Sequence, residues 1–192
     1  MLVTFAAGSF ILSWLLGGKP KRLADLDFQR LPWMMASFLL RDIAEELFDK
    51  AAPELWASTL LALACYGLLF YGIYPNRRLP GMWAVALGSA LNLLVILANQ
   101  ARMPVSVARL TAEEAAREIA RLGTSINHQL LVPTSRLQSL ADLYKWTFLQ
   151  PQPVMFSIGD VLITAGVSYL IFKVSLRGFR PSAVDGRMGK VG

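Results

Sequence analysis

Polar and apolar positions in this chain are sorted into long blocks. Residues 2–18, 55–76, 79–101 and 161–172 contain no Asp, Glu, Lys or Arg. A bilayer core of roughly 30 Å needs about 20 apolar residues per helix, and every backbone group inside it must bond internally. The blocks therefore predict an all-α fold, a polytopic membrane helical bundle. Helices are expected over 2–16, 54–74, 81–100 and 157–173.

The segment 31–51 is of mixed character. Pro32 suits the first turn of a helix and Trp33 suits a membrane interface. Phe38, Leu39, Leu40, Ile43, Ala44, Leu47 and Phe48 recur at helical spacing, while Arg41, Asp42, Glu45, Glu46, Asp49 and Lys50 occupy the other face. Arg41 and Glu45, four apart, can pair. The segment is either a span with a protected polar half or an amphipathic helix lying in the interface.

Charge position favours the span. Five transmembrane helices, with the N-terminus out and the C-terminus in, place eleven of the nineteen Lys and Arg residues inside, whereas four spans with the N-terminus in place fewer there. The run 2–16 has no basic residues before it and Lys19, Lys21 and Arg22 after it, the reverse of a secretory signal, so it is expected to be retained. The domain plan is then a bundle over 1–176 and a disordered basic cytoplasmic tail over 177–192. The net charge of +6 comes from clusters at span ends, which excludes nucleic acid as the expected partner and points to anionic lipid headgroups. Cys65, the single cysteine, lies within an apolar run and reads as packing.

Between the fourth and fifth helices, 101–156 forms a helical outer loop too long for a bare connector. Thr111-Ala112-Glu113-Glu114 is a capping box opening a short helix that Gly123 can close, with Glu113 and Arg117 spaced to pair. A second helix is expected over 135–148, where Leu137, Leu140, Ala141, Tyr144 and Phe148 form one stripe.

Candidate chemistry gathers at one end. Ser89, Asn92 and Asn99 share a face of the fourth helix, as interhelical glue or as a ligand path, and Gly88 allows a neighbour to approach closely. Asp160, three residues after Ser157, forms a second capping box and sits at the positive end of a helix dipole. On the five-span topology Arg41, Asp42, Glu45, Asn99, Arg102 and Asp160 all lie near the outer face beneath the loop. They form either an ion-pair network or a ligand-binding site that also includes Asn92. Asp160 and His128 are the candidates for acid–base catalysis. His128 is the single histidine and has no second ligand at a telling spacing, so no metal site is expected and no cofactor is indicated.

Several short motifs resemble a bacterial multi-pass membrane family of unknown function. They are Leu23-Ala24-Asp25-Leu26 after Gly17-Gly18, the Arg41 region, the stretch Asn99-Gln100-Ala101-Arg102-Met103-Pro104-Val105, Leu140-Ala141-Asp142, and Ser157-Ile158-Gly159-Asp160. The family carries Asn-Gly-Gly-x-Met-Pro-Val and Ser-x-Gly-Asp stretches; this chain has Gln100 and Ala101 at the glycine positions. The resemblance implies a bacterial plasma membrane and a shared outer-face site around 99–105 and Asp160, with no activity attached.

No nucleophile–base pair, phosphate loop or zinc motif stands out. The expectation is a non-enzymatic binding or accessory subunit whose partners are membrane lipids, other membrane-protein subunits or further copies of itself. The alternatives are a membrane enzyme acting on a lipid headgroup or isoprenoid phosphate, with Asp160 and His128 in hydrogen-bond reach, and a small oligomeric transporter.

Overall fold

The computed structural model describes residues 1–47 and 54–177. The expected tail falls outside these residues except for Arg177. The chain is mostly helical: α1 (Leu2–Leu15), α2 (Lys21–Ala24), α3 (Leu31–Leu47), α4 (Leu55–Ile73), α5 (Met82–Ala98), α6 (Ala112–Thr124) and α7 (Ile158–Arg177). Four three-residue strands interrupt the helical pattern: β1 (Met103–Val105), β2 (His128–Leu130), β3 (Tyr144–Trp146) and β4 (Val154–Phe156).

Five helices pack side by side in the order α3, α4, α5, α7, α1. Antiparallel α5 and α7 make the closest seam, and small residues create it. A methyl group on Gly88 would overlap the Gly159 carbonyl and lie 3.0 Å from Ile163 N. One on Gly166 would lie 2.6 Å from the Gly81 carbonyl. Gly81 also opens α5 at φ +84°, a left-handed conformation in which glycine alone escapes Cβ strain. Val85 and Met82 of α5 bury against Leu170 and Val174 of α7, and Leu69 and Ile73 of α4 complete the core.

Two helices, α4 with its short continuation to Asn76 and α7, are long and apolar enough to cross a membrane. Only 28% and 33% of their apolar windows are buried, unlike the core helix of a water-soluble domain. The other helices also turn large apolar side chains outward: Trp14 is 60% exposed, Leu15 72% and Trp83 66%. Among the described residues, α1 and α5 are apolar but shorter, at 14 and 17 residues.

One end of the bundle is fastened by backbone capping. Arg22 Nη1 donates to the carbonyls of Ser175, at 3.0 Å, and Leu176, placing a cation on the last turn of α7 where the helix dipole favours it. Asn76, buried, holds both backbone groups of Gln29: its Oδ1 accepts from Gln29 N at 3.0 Å and its Nδ2 donates to Gln29 O at 2.6 Å. That clamp ties the chain entering α3 to the end of α4.

The other end is closed by the 101–156 segment, which is not the helical pair expected. The capping box forms as predicted, with Glu114 N donating to Thr111 Oγ1 at 3.3 Å and Thr111 N to Glu114 Oε2 at 2.8 Å. Gly123 does not close α6, which continues through Thr124. The helix expected over 135–148 is absent. Leu137 sits at φ +52° and Leu149 at +56°, left-handed positions that break a right-handed helix, and Tyr144–Trp146 pairs antiparallel with Val154–Phe156. The capping segment is therefore stitched by backbone pairing, and the Phe5 ring of α1 lies 5.1 Å from Trp146 beneath it.

Candidate functional site

The site is built where α3, α5 and α7 meet the capping segment. Parallel pairing of β1 with β2 aligns Met103 with His128 and Val105 with Leu130, and Val105 bridges to Asp142 on its other side. Asp142 N donates to Pro104 O at 3.0 Å and its carbonyl accepts from Ser106 N at 2.9 Å. The conformation of β1 thus fixes His128 and Asp142 to either side of one three-residue strand.

From below, α7 and α5 contribute a closed polar cluster. Asp160 Oδ1 accepts from Asn92 Nδ2 at 2.9 Å and Oδ2 from Ser157 N at 2.9 Å. Asp160 N donates to Ser157 Oγ at 3.1 Å, which completes the capping box. Ser157 Oγ lies 3.0 Å from Asn92 Oδ1 and 2.9 Å from Asp160 Oδ2, so its one hydroxyl proton serves two acceptors. This is interhelical bonding across the glycine seam, with Gly159 packed directly against Asn92.

From α3, Arg41 and Glu45 do not pair with each other. Arg41 Nη2 lies 3.4 Å from His128 Nε2, and Glu45 Oε2 accepts from Asn127 Nδ2. Both reach to the same strand edge instead of along their own helix. Asp42 is exposed and takes part in none of these bonds, because one residue onward along a helix turns a side chain by roughly 100°. Arg102, half-buried, makes no side-chain bond among the described residues.

Asn99 serves the backbone. Its Oδ1 accepts from Arg136 N at 2.8 Å, and its Nδ2 donates to Arg136 O and to Val95 O, each at 2.9 Å. The Asn99 carbonyl accepts from Gln129 Nε2 at 3.3 Å. Gln100 and Ala101 follow at φ +60° and +63°, so the tight left-handed turn forms without glycine.

Electrostatics mark two groups. Burial, reinforced by the Arg41 and Arg121 guanidiniums, lowers the His128 imidazole to about 3, so at neutral pH it is uncharged. Burial, reinforced by Asp160, raises the Asp142 carboxyl to about 8, above the opposing pull of Arg41 and Arg121. Asp142 is only 6% exposed, and its Oδ1 has no hydrogen-bond partner. No hydrogen bond joins Asp160 to His128; each is committed to other partners. Among the described residues, no three His, Cys, Asp or Glu side chains come together as a metal ion requires.

Sequence reasoning missed Asp142 and Asn127 as members of this cluster. The signal for Asp142 was an acid set between Ala141 and Leu143, an apolar setting unusual for a loop carboxylate.

A family of unknown function, DUF5317, matches residues 25–172. The chain belongs to this family. The match runs from the stretch before α3 nearly to the end of α7 and so includes every residue of the polar cluster. No curated protein and no solved structure matches the chain.

Proposed function

We propose that this DUF5317 member is a multi-pass protein of a bacterial plasma membrane. In this reading α1, α3, α4, α5 and α7 are its five spans and the capping segment lies outside. Outward-facing large apolar side chains on all five helices, Leu, Trp or Phe on four of them and Ile158, Val161 and Tyr169 on α7, support that reading, since an apolar exterior is favourable in lipid and costly in water. At about 1.5 Å per residue, α3 and α5 fall roughly 5 Å and α1 roughly 9 Å below a bilayer core of about 30 Å, a mismatch that local thinning and interfacial end residues absorb at fractions of a kcal/mol per ångström. Arg22, Arg30, Arg77 and Lys173 then collect on the inner side.

Within that frame the protein acts as a non-enzymatic binding or accessory subunit, and its binding site is the polar cluster beneath the cap. The observation that carries this is Asp142, a buried carboxyl with one oxygen unpartnered, in the field of Arg41. Buried polar atoms without partners are rare in finished cores and are a reason to look for a bound group. The Arg41 guanidinium offers donors alongside it, while the neutral His128 is engaged by Arg41 and Ser125.

Two measurements test the reading. Single cysteines placed at Glu46, Thr124 and Arg77 in a Cys65→Ala background should label from outside at the first two and not the third; the opposite sidedness of Glu46 and Thr124 would remove the topology. The gently extracted chain should carry a mass beyond its own, from a lipid or a second subunit, which Arg41→Gln or Asp142→Asn loses. A bare chain in every mild detergent would remove the binding role.

A further inference from the structure

A groove separate from the Arg41–Asp142 cluster opens at the same end of the molecule. Its volume is about 750 Å³, and it lies between the start of α4 (Leu55, Thr59), the end of α5 (Leu97, Gln100) and the loop carrying Thr134 and Arg136. Its chemistry is graded. Among the described residues, Arg136 is the one charged side chain on its wall and no carboxylate lines it. The Gln100, Thr134 and Arg136 side chains make no hydrogen bond among the described residues, so their donors are available. Nearby Glu54 is occupied by Trp56 Nε1 at 2.6 Å. The opposite wall is Leu55 and Leu97, and further along the two helices Leu63, two turns beyond Leu55, and Leu94, one turn before Leu97, stay exposed and extend the apolar track towards the middle of the bundle.

The groove is also rigidly made. Asn99 holds Arg136 by both its backbone groups and receives Gln129 on its own carbonyl, so one buried side chain fixes the polar wall relative to α5. The left-handed pair Gln100–Ala101 directs the chain away immediately after the helix end. Strain of this kind, on the order of 1–3 kcal/mol per residue, is tolerated where surrounding structure dictates it, and it gathers at ligand clamps.

We infer that this groove binds a phospholipid with an anionic headgroup, its phosphate on Arg136, Thr134 and Gln100 and an acyl chain along Leu97, Leu94 and Leu63. A guanidinium is suited to phosphate by its forked donors, and a cation with no described carboxylate on the same wall favours a net negative head over a zwitterionic one. Exposed Trp56, beside the groove mouth, is the residue type that settles at headgroup depth. Asn99 acts as a positioning residue. The inference rests on the membrane reading above.

The test uses the full chain in mild detergent, counting retained lipid by native mass measurement after titration with phosphatidylglycerol or phosphatidylcholine. Phosphatidylglycerol should be retained in preference. Arg136→Gln should weaken it about fivefold, the effect of one cation at a membrane surface, with Arg136→Lys restoring part of it and Arg77→Gln, at the opposite end, changing nothing. Equal retention of both lipids, or an Arg136→Gln protein that retains phosphatidylglycerol like the parent, overturns the inference. Displacement by equimolar inorganic phosphate overturns it too, because the site would then read phosphate without a tail. Release of the chain from membranes by alkaline carbonate would instead sink the membrane reading, whatever the lipid count.

Discussion

The α5–α7 seam and the capping segment hold the same site from opposite sides and are built on opposite principles. The seam consists of regular helices brought so close by glycines that side chains hardly intervene, with one polar cluster, Asn92–Asp160–Ser157, at its end. Apart from α6 the cap has little regular structure, and its shape comes from three-residue strands and side chains bonded to remote backbone, such as Asn99 to Arg136. The seam should therefore fail all at once under a steric change, while the cap should loosen piece by piece.

The largest expected effect breaks the seam. Gly88→Val directs its branches at the Gly159 carbonyl and Ile163, and neither backbone can yield without separating the helices. We expect a loss of about 4 kcal/mol or more, enough to prevent accumulation of folded protein. Gly123→Val is the control in the cap, where an added Cβ meets nothing within 4 Å; on an α-helix valine is the better helix former of the two, so the change should be neutral or gain a few tenths, well under about 1 kcal/mol. Equal yields of the two variants in detergent would show that the seam is not close-packed.

Next come the two asparagines. Asn92→Ala removes a donor to the Asp160 carboxylate and an acceptor from Ser157, worth about 1–3 kcal/mol for bonds that involve a charge, and should lower the cooperative unfolding midpoint. Asn99→Ala removes three bonds but acts on a loop. Its signature should be local: amide exchange at Arg136 rises sharply while that of α5 and α7 barely moves. If Asn99→Ala instead lowers the global midpoint as far as Asn92→Ala, cap and seam are one cooperative unit.

The helical half of this contrast was legible in the sequence, and the rest was not, for a physical reason. Uncharged runs and helical spacing depend on near neighbours, so α1, α3, α4, α5 and α7, the polar face of α3 and the capping box at Asp160 could be read from local pattern. The apolar stripe at Leu137, Leu140, Ala141, Tyr144 and Phe148 had the right period for a helix, yet its pairing partners lie elsewhere: Tyr144 faces Phe156, and Asp142 lies against Val105. Three-residue strands have too little periodicity to outweigh such a stripe. The buried state of Asp142 follows from that pairing, and so was hidden with it. The same distance effect sent Arg41 and Glu45 to His128 and Asn127 and away from each other.

Titration sharpens the comparison further, since both shifted groups of the cluster belong to the cap. Asp142 is raised from 3.8 to about 8 in the fold, so its contribution to stability is complete below about pH 4 and lost as pH climbs towards 8. Asp142→Asn, of the same shape and never charged, should abolish that loss and be more stable than the parent at pH 7–8, with the two converging near pH 4. His128 has the opposite sign: lowered from 6.5 to about 3, it contributes fully above pH 6.5 and loses that contribution as pH falls towards 3. His128→Gln should flatten the acid limb. Unfolding midpoints of the three proteins across pH 3–9 decide the matter, and parallel curves would mean that neither group is buried as described.

The smallest expected effect concerns the turn where the two regions join. Gln100 and Ala101 both adopt positive φ, a conformation in which glycine alone is unstrained. Gln100 is exposed, so Gln100→Gly relieves its left-handed strain at the expense of more freedom in the unfolded chain; the net gain should be no more than about 1 kcal/mol. Ala101 is buried against Val95, Ile96 and Met103, and Ala101→Gly gives back part of the same relief through lost packing. The two substitutions should therefore differ in stability although they relieve similar torsions. Gln100 also lines the groove, so a stabilised Gln100→Gly protein that retains less phosphatidylglycerol would show that the chain keeps a strained turn for the amide it presents. Retention equal to the parent's would leave Arg136 and Thr134 as the polar wall and assign Gln100 no part in holding the headgroup.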